Sequence, residues 1–173
     1  MRSGAWPSVW LLRAVVVVAV LVSLLAGVPG GYQPPAVLVV VVVAGALLAA
    51  FRPEHLIVSI TLGMVVAWWA LQLRGEMPTA ALVAAAGIIV AHAAATVLGY
   101  GPPRLPVDAA LGVLWALRAG MSWTGALAVW AVGRAYTGHG SPAVFWLAGL
   151  AAAVVGAVVA GVAAPLRAEE PRA

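Results

Sequence analysis

Long apolar runs alternate along this chain with short breaks that contain proline, glycine or arginine. About 20 apolar residues, with a range of about 17–25, cross a bilayer as an α-helix. Each run therefore predicts one transmembrane helix, and the proline and glycine residues at the junctions end the helices. The predicted helices occupy residues 9–28, 35–51, 56–73, 79–98, 108–132 and 143–164, followed by a short tail at 165–173.

The fifth run contains an arginine, in the stretch GVLWALRAGMSW (residues 112–123). If Arg118 were a helix boundary, only residues 119–132 would remain, which is too short to cross. A continuous helix from Asp108 is long enough, and it places Arg118 inside the membrane. We favour the continuous helix.

Composition supports lipid as the solvent. The chain has 173 residues, of which 65% are hydrophobic and 8% charged, whereas a soluble domain has about 25% charged residues. It has no cysteine, which excludes a disulfide framework and a thiol nucleophile. These features predict an all-α, polytopic membrane helix bundle with a single domain.

The basic residues are all arginine, and they stand singly at the ends of the runs. This is the pattern of topology signals and not of a phosphate-binding stripe, so we expect no nucleic-acid partner. With a cytoplasmic N-terminus, two arginines near the membrane fall outside (Arg74 and Arg134), and six fall inside (Arg2, Arg13, Arg52, Arg104, Arg167 and Arg172). We therefore expect a multi-pass protein of the bacterial plasma membrane with both termini in the cytoplasm.

The first run has one alternative interpretation. Arg2 and Arg13 ahead of the apolar residues 14–26 are similar to the n- and h-regions of a signal peptide. No clean small-x-small cleavage site precedes Pro29. We favour an uncleaved helix, in which Arg13 extends its guanidinium to the inner headgroups.

Small residues recur at every fourth position of three runs, and such stripes let helix backbones approach closely in lipid. They can pack within the bundle or against a partner's helices, although a chain so rich in alanine and glycine also produces them by chance. The stripes are Gly87, Ala91, Ala95 and Gly99; Gly112, Ala116, Gly120 and Thr124; and Gly149, Ala153, Ala157 and Gly161.

Polar residues within the membrane mark the candidate site. At 1.5 Å per residue, Arg118 and His92 lie roughly 15 Å and 9 Å from the inner ends of their helices, so they can meet. The proposed cluster consists of Arg118, His92, Thr96, Trp115 and Ser122, open toward Asp108 and Glu54. It is either a site for an anionic or polar ligand or a contact with a neighbouring helix or partner subunit, and we favour the contact.

Catalytic groups are not recognisable in the sequence. Ser122 lies between glycines but lacks the spacing of a nucleophile elbow, and the three histidines lie at different levels, so we expect no metal, cofactor or enzyme activity. We expect a subunit or scaffold that docks on another membrane protein or a second copy through the small-residue faces and the Arg/His cluster. The alternative is a small-molecule transporter or its substrate-binding membrane component.

One stretch carries a family resemblance. The segments AHAAAT (91–96), YGPP (100–103) and LPVD (105–108), followed by Trp115 and Arg118, resemble uncharacterised small polytopic membrane proteins of actinobacteria. These are often encoded beside MoxR-type ATPase and transglutaminase-like genes. The resemblance covers roughly residues 79–134, and it implies a cell-envelope setting and an assembly partner but no activity.

Overall fold

Five α-helices account for most of the residues that the computed structural model describes, which are 6–52, 55–73, 77–100 and 109–136. They are α1 (Trp6–Leu25), α2 (Ala36–Phe51), α3 (His55–Gln72), α4 (Thr79–Tyr100) and α5 (Ala109–Tyr136). These residues contain no strand, so the predicted all-α class is confirmed for them. The predicted sixth helix, 143–164, and the tail, 165–173, lie outside the described residues.

A glycine turn and a proline separate α1 from α2. After α1, a 3-10 turn covers Val28–Gly30, and the backbone N–H of Gly30 donates to the Gly27 carbonyl at 2.9 Å. Gly31 follows with a φ of 88°, in the left-handed region that glycine adopts without a Cβ clash. Pro35 is then the N-cap residue of α2 and has an extended backbone. Its ring fixes φ at a value that is compatible with the start of a helix.

Helix α5 passes Arg118 without a break. It has 28 residues, from Ala109 to Tyr136, and at 1.5 Å per residue it is about 42 Å long. Arg118 is an interior residue of this helix, with nine helical residues before it. Its guanidinium is therefore placed well away from both helix ends.

Two of the described helices are long and apolar enough to cross a membrane. The stretches are Val9–Gly30, which comprises most of α1 and the turn after it, and Thr79–Gly99, which is nearly all of α4. Helices α2 and α3 are apolar but shorter, at 16 and 18 residues. Helix α5 is not among the candidate spans. In the part of the chain that the structure describes, two of the six predicted spans have the length and composition needed to cross, and the prediction of six spans is not confirmed.

Small side chains let two helices approach closely in the interior, beside buried valine and leucine. Helix α1 packs against α4 and α2, α3 packs on α2, and α5 packs on α4. A Cβ at Gly87 would lie 2.7 Å from the Ala19 carbonyl oxygen and 2.9 Å from Ser23 Cβ, so the backbones of α1 and α4 nearly touch. Ala91 and Ala95, from the same stripe of α4, are buried as well. Close backbone contact of this kind is typical of helix pairs in lipid.

Large apolar side chains point outward from all five helices. Val37 of α2 is 76% exposed, Leu56 of α3 is 70% exposed and Leu117 of α5 is 62% exposed. Comparable side chains project from α1 and α4, such as Leu11 and Val83. A contiguous apolar surface on this scale marks an interaction with a membrane or with other proteins.

Candidate functional site

Arg118 is held against an aromatic ring of its own helix. Its Cζ atom lies 5.1 Å from the ring centroid of Trp115, three residues earlier on α5. Residues at this spacing face each other on a helix surface, and a guanidinium at this distance interacts favourably with the face of an indole. Both side chains are half-buried. The ring therefore partly replaces the water that the cation loses.

Thr96 is bonded within α4. Its Oγ1 donates to the backbone carbonyl of His92 at 2.7 Å, the local bond that threonine commonly makes one turn back along a helix. The four residues of α4 that line the cavity shared with α5 are Val90, Ala93, Ala94 and Val97. His92 is exposed and is not one of them. The structure thus links Thr96 to His92 but does not bring the His92 ring to the α5 side.

The remaining predicted site residues are placed as follows. Ser122 is on α5, four residues after Arg118, and is exposed. Asp108 and Glu54 lie outside the described residues. So do the other three acidic residues of the chain, Glu76, Glu169 and Glu170, whereas four arginines (Arg13, Arg52, Arg118 and Arg134) lie within them. The described bundle therefore carries positive charge and no carboxylate side chain.

An apolar cavity of about 390 Å³ lies between α1, α4 and α5. Trp115 lines it together with Gly112, Ala116 and Ala119 of α5. Leu11 and Leu12 of α1 and the four α4 residues named above complete the lining. The indole N–H of Trp115 is the one polar side-chain group among these residues. The cavity thus offers apolar contacts beside a stacked cation.

A second aromatic–arginine contact joins the start of α1 to the end of α2. The Arg13 Cζ atom lies 4.9 Å from the Trp10 ring and 5.3 Å from the Phe51 ring. The two rings themselves meet edge to face, with centroids 6.3 Å apart. Arg13 Nε is buried and has no hydrogen-bond acceptor among the described residues. The cation is therefore stabilised mainly by the rings.

The tryptophan–arginine pairs share one sequence pattern, in which the arginine follows the tryptophan by one helical turn, as Arg118 follows Trp115. Arg13 follows Trp10 by three residues, and Arg134 follows Trp130 by four, with its Cζ atom 5.2 Å from the ring. Three of the four described arginines thus stack on a tryptophan one turn earlier. Phe51 could not be assigned to Arg13 in this way, since it belongs to a different helix.

A buried hydrogen bond at the other end of the bundle was also not predicted from the sequence. The Trp69 indole Nε1 donates to the Ser23 carbonyl at 2.8 Å, and the Tyr32 ring lies 6.1 Å from the Trp69 ring. Trp69 is 5% exposed and belongs to the core. The reason is Gly27, which is so close to Trp69 that a Cβ there would lie 3.0 Å from the indole.

The described residues combine features that suit binding. In residues 6–52, 55–73, 77–100 and 109–136 there is no group of three or more histidine, cysteine or acidic side chains that could hold a metal ion. The geometry instead combines a stacked cation, aromatic rings and an apolar cavity. Comparisons of the chain with protein-family models, curated proteins and solved structures gave no match.

Proposed function

We propose that this chain is a multi-pass protein of the bacterial plasma membrane that acts as a non-catalytic subunit or scaffold of a membrane complex. One observation carries the proposal: large apolar side chains cover the outside of all five helices, while alanine, glycine, serine and threonine share the contacts between them with valine and leucine. In water such a surface would aggregate. In lipid it is the expected surface, and small residues supply the close packing.

The subunit role is supported by a small-residue stripe that the described helices leave open. A Cβ at Gly112 or Gly120 of α5 would meet no atom within 4 Å. Ala116 and Thr124, the other members of the stripe, are exposed, and the Thr124 hydroxyl donates to the Gly120 carbonyl of its own helix. Gly112 and Ala116 also line the cavity between α1, α4 and α5, so the part of this face left for another membrane protein or a second copy of the chain is around Gly120 and Thr124. Arg118 then contributes a charge at the edge of the contact.

Cysteine labelling tests the membrane setting directly, because the chain has no native cysteine. Three single variants are compared in intact cells with a water-soluble maleimide: Gln33→Cys, Val40→Cys and Ala173→Cys. Gln33→Cys should react from outside, and Ala173→Cys should react after the membrane is permeabilised. Val40 is 68% exposed in the structure, yet Val40→Cys should stay unreactive until detergent removes the lipid. Rapid labelling of Val40→Cys in native membranes would refute the proposal.

Two matched glycine variants test the docking role. Gly120 and Gly63 both have open space around an added Cβ, but Gly63 is on α3, away from the α5 stripe. Gly120→Leu should reduce the stoichiometric partner, or the second copy, that is recovered after purification in mild detergent. Gly63→Leu should leave that recovery unchanged. Equal recovery of the partner with both variants would show that the α5 stripe is not the docking surface.

A further inference from the structure

We propose that the cavity between α1, α4 and α5 holds an acyl chain of an anionic phospholipid whose phosphate is bound by Arg118. This inference rests on the proposed membrane setting, but it does not depend on the subunit role. It assigns one ligand class to the cavity and one function to the half-buried Arg118 side chain. Neither follows from the presence of a membrane alone.

The apolar half of the ligand is indicated by the cavity itself. Its volume of about 390 Å³ lies within the range of about 300–1,000 Å³ that ligand pockets usually have. Leu11 and Val90, both in its lining, are also exposed at the bundle surface, so the cavity can be entered from the surrounding lipid. Its apolar lining offers a polar solute almost no hydrogen bonds.

The shape of the cavity favours a lipid chain over a helix. A helix with its side chains is about 10–12 Å across, which is too wide to enter a cavity of 390 Å³ bounded by three helices. A single acyl chain is flexible and narrow, and it can follow the crevice between Leu12 and Trp115. A lipid is therefore the occupant that fits without moving a helix.

The anionic half is indicated by charge. Trp115 lines the cavity, and the Arg118 guanidinium lies 5.1 Å from its ring, so the cation is at the cavity margin. A guanidinium presents a planar set of donors that matches phosphate oxygens. Stacking on Trp115 holds that donor set in one orientation before the lipid arrives.

Native mass spectrometry of the full chain in mild detergent tests the site. The delipidated protein is titrated with phosphatidylglycerol, with phosphatidylcholine of the same chains, and with diacylglycerol. We expect one phosphatidylglycerol per chain to bind about tenfold more tightly than diacylglycerol, which lacks the phosphate, the difference expected for one charge-assisted hydrogen bond. Phosphatidylcholine has the same phosphate beside a quaternary ammonium that the guanidinium repels, and it should bind more weakly than phosphatidylglycerol. Arg118→Gln should remove this preference. Arg134→Gln is the matched control, because Arg134 is also stacked on a tryptophan but that ring, Trp130, does not line the cavity, and it should keep the preference.

A second pair of variants tests the chain-binding half. Ala116 lines the cavity, so Ala116→Leu should fill it and weaken all three lipids. Ala131→Leu, on the exposed surface of the same helix, should not. Circular dichroism identifies any variant that fails to fold, and quenching of tryptophan fluorescence by brominated phosphatidylglycerol then gives a second measure in the wild type. Quenching equal to that by brominated phosphatidylcholine would overturn the proposal.

The outcomes separate the two proposals. If Arg118→Gln keeps the full preference for phosphatidylglycerol, or if no lipid binds while Val40→Cys stays protected in membranes, the lipid site is wrong and the membrane setting stands. Labelling of Val40→Cys in native membranes rejects both. Loss of the preference in Arg118→Gln and not in Arg134→Gln supports the site.

Discussion

The indole of Trp69 donates a buried 2.8 Å hydrogen bond to the Ser23 carbonyl and so joins α3 to α1. Ser23 itself is fully buried, and its hydroxyl donates to the Val20 carbonyl one turn back. The tryptophan thus bonds to the helix that lies at the centre of the packing. This directional bond adds to the apolar packing of the other large buried side chains of α3, which are Val58, Leu62 and Val65.

Trp69→Phe should lower the free energy of unfolding by about 1–2 kcal/mol for the lost buried hydrogen bond, in addition to the packing lost with the five-membered ring of the indole. The measurement is unfolding in mixed detergent micelles. The adjacent Trp68 provides the control. Its indole nitrogen is also buried but has no hydrogen-bond partner among the described residues, so Trp68→Phe should cost little. Equal losses in the two variants would contradict the role given to the Trp69 bond.

Gly87→Ala should destabilise the bundle, because the new methyl group would meet the Ala19 carbonyl and Ser23 at under 3 Å. Overpacking of this kind typically costs about 1–3 kcal/mol. Gly120→Ala should have the opposite sign, since alanine is favoured over glycine in a helix by about 0.8–1.0 kcal/mol and an added Cβ there meets nothing. Thermal unfolding of both variants in the same detergent checks the difference in sign. A stabilised Gly87→Ala variant would mean that α1 and α4 are further apart than described.

The helices could be predicted from the sequence because proline, glycine and arginine end each apolar run, and five predicted segments overlap the five described helices. The side of each helix that faces the interior could not be predicted from the sequence. Val40 and Val42 are two positions apart on α2, and the first is 68% exposed whereas the second is fully buried. Residue type does not separate them, since both lipid and protein interior accept valine. A helix apolar on all sides carries no pattern that sets its rotation.

The same reasoning separates the parts of the candidate site. The contact between Trp115 and Arg118 could be predicted, because it depends on spacing within one helix. The position of His92 relative to α5 depends on how α4 is rotated, and Val90 and Val97 occupy the facing side instead. The Arg13–Phe51 contact is of this second kind. Contacts between helices required the three-dimensional packing.

Replacing Phe51 should show how much its contact with Arg13 contributes to the free energy of unfolding. A double-mutant cycle of Phe51→Leu and Arg13→Gln, followed by unfolding in micelles, should give a coupling of about 0.5–1 kcal/mol for this cation–π contact. Phe51→Leu combined with Arg134→Gln is the control, because Arg134 stacks on Trp130 at the end of α5, and these two changes should be additive. A cycle with no coupling between residues 13 and 51 would show that the ring contact contributes nothing to stability.

Helix α5 is the hardest test of the proposed membrane setting, because it is not among the candidate spans and has an interior arginine. A central arginine costs about 2.5–3.5 kcal/mol on insertion scales, and stacking on Trp115 returns about 0.5–2 kcal/mol of that. The remaining cost is within what the apolar side chains of α5, including Val113, Leu114 and Leu117, can offset. We therefore expect α5 to span the bilayer, with its length of about 42 Å accommodated by tilt or by a protruding outer end.

Two cysteine variants on α5 decide whether it does. Leu117 is 62% exposed and adjacent to Arg118, and Leu117→Cys should resist a water-soluble maleimide in intact cells. Ala135→Cys, at an exposed position near the end of the same helix, should react from outside. Comparable rates at both positions would place α5 in water along its whole length. Arg118 would then be an ordinary solvated arginine, and the lipid phosphate site proposed for it would be wrong.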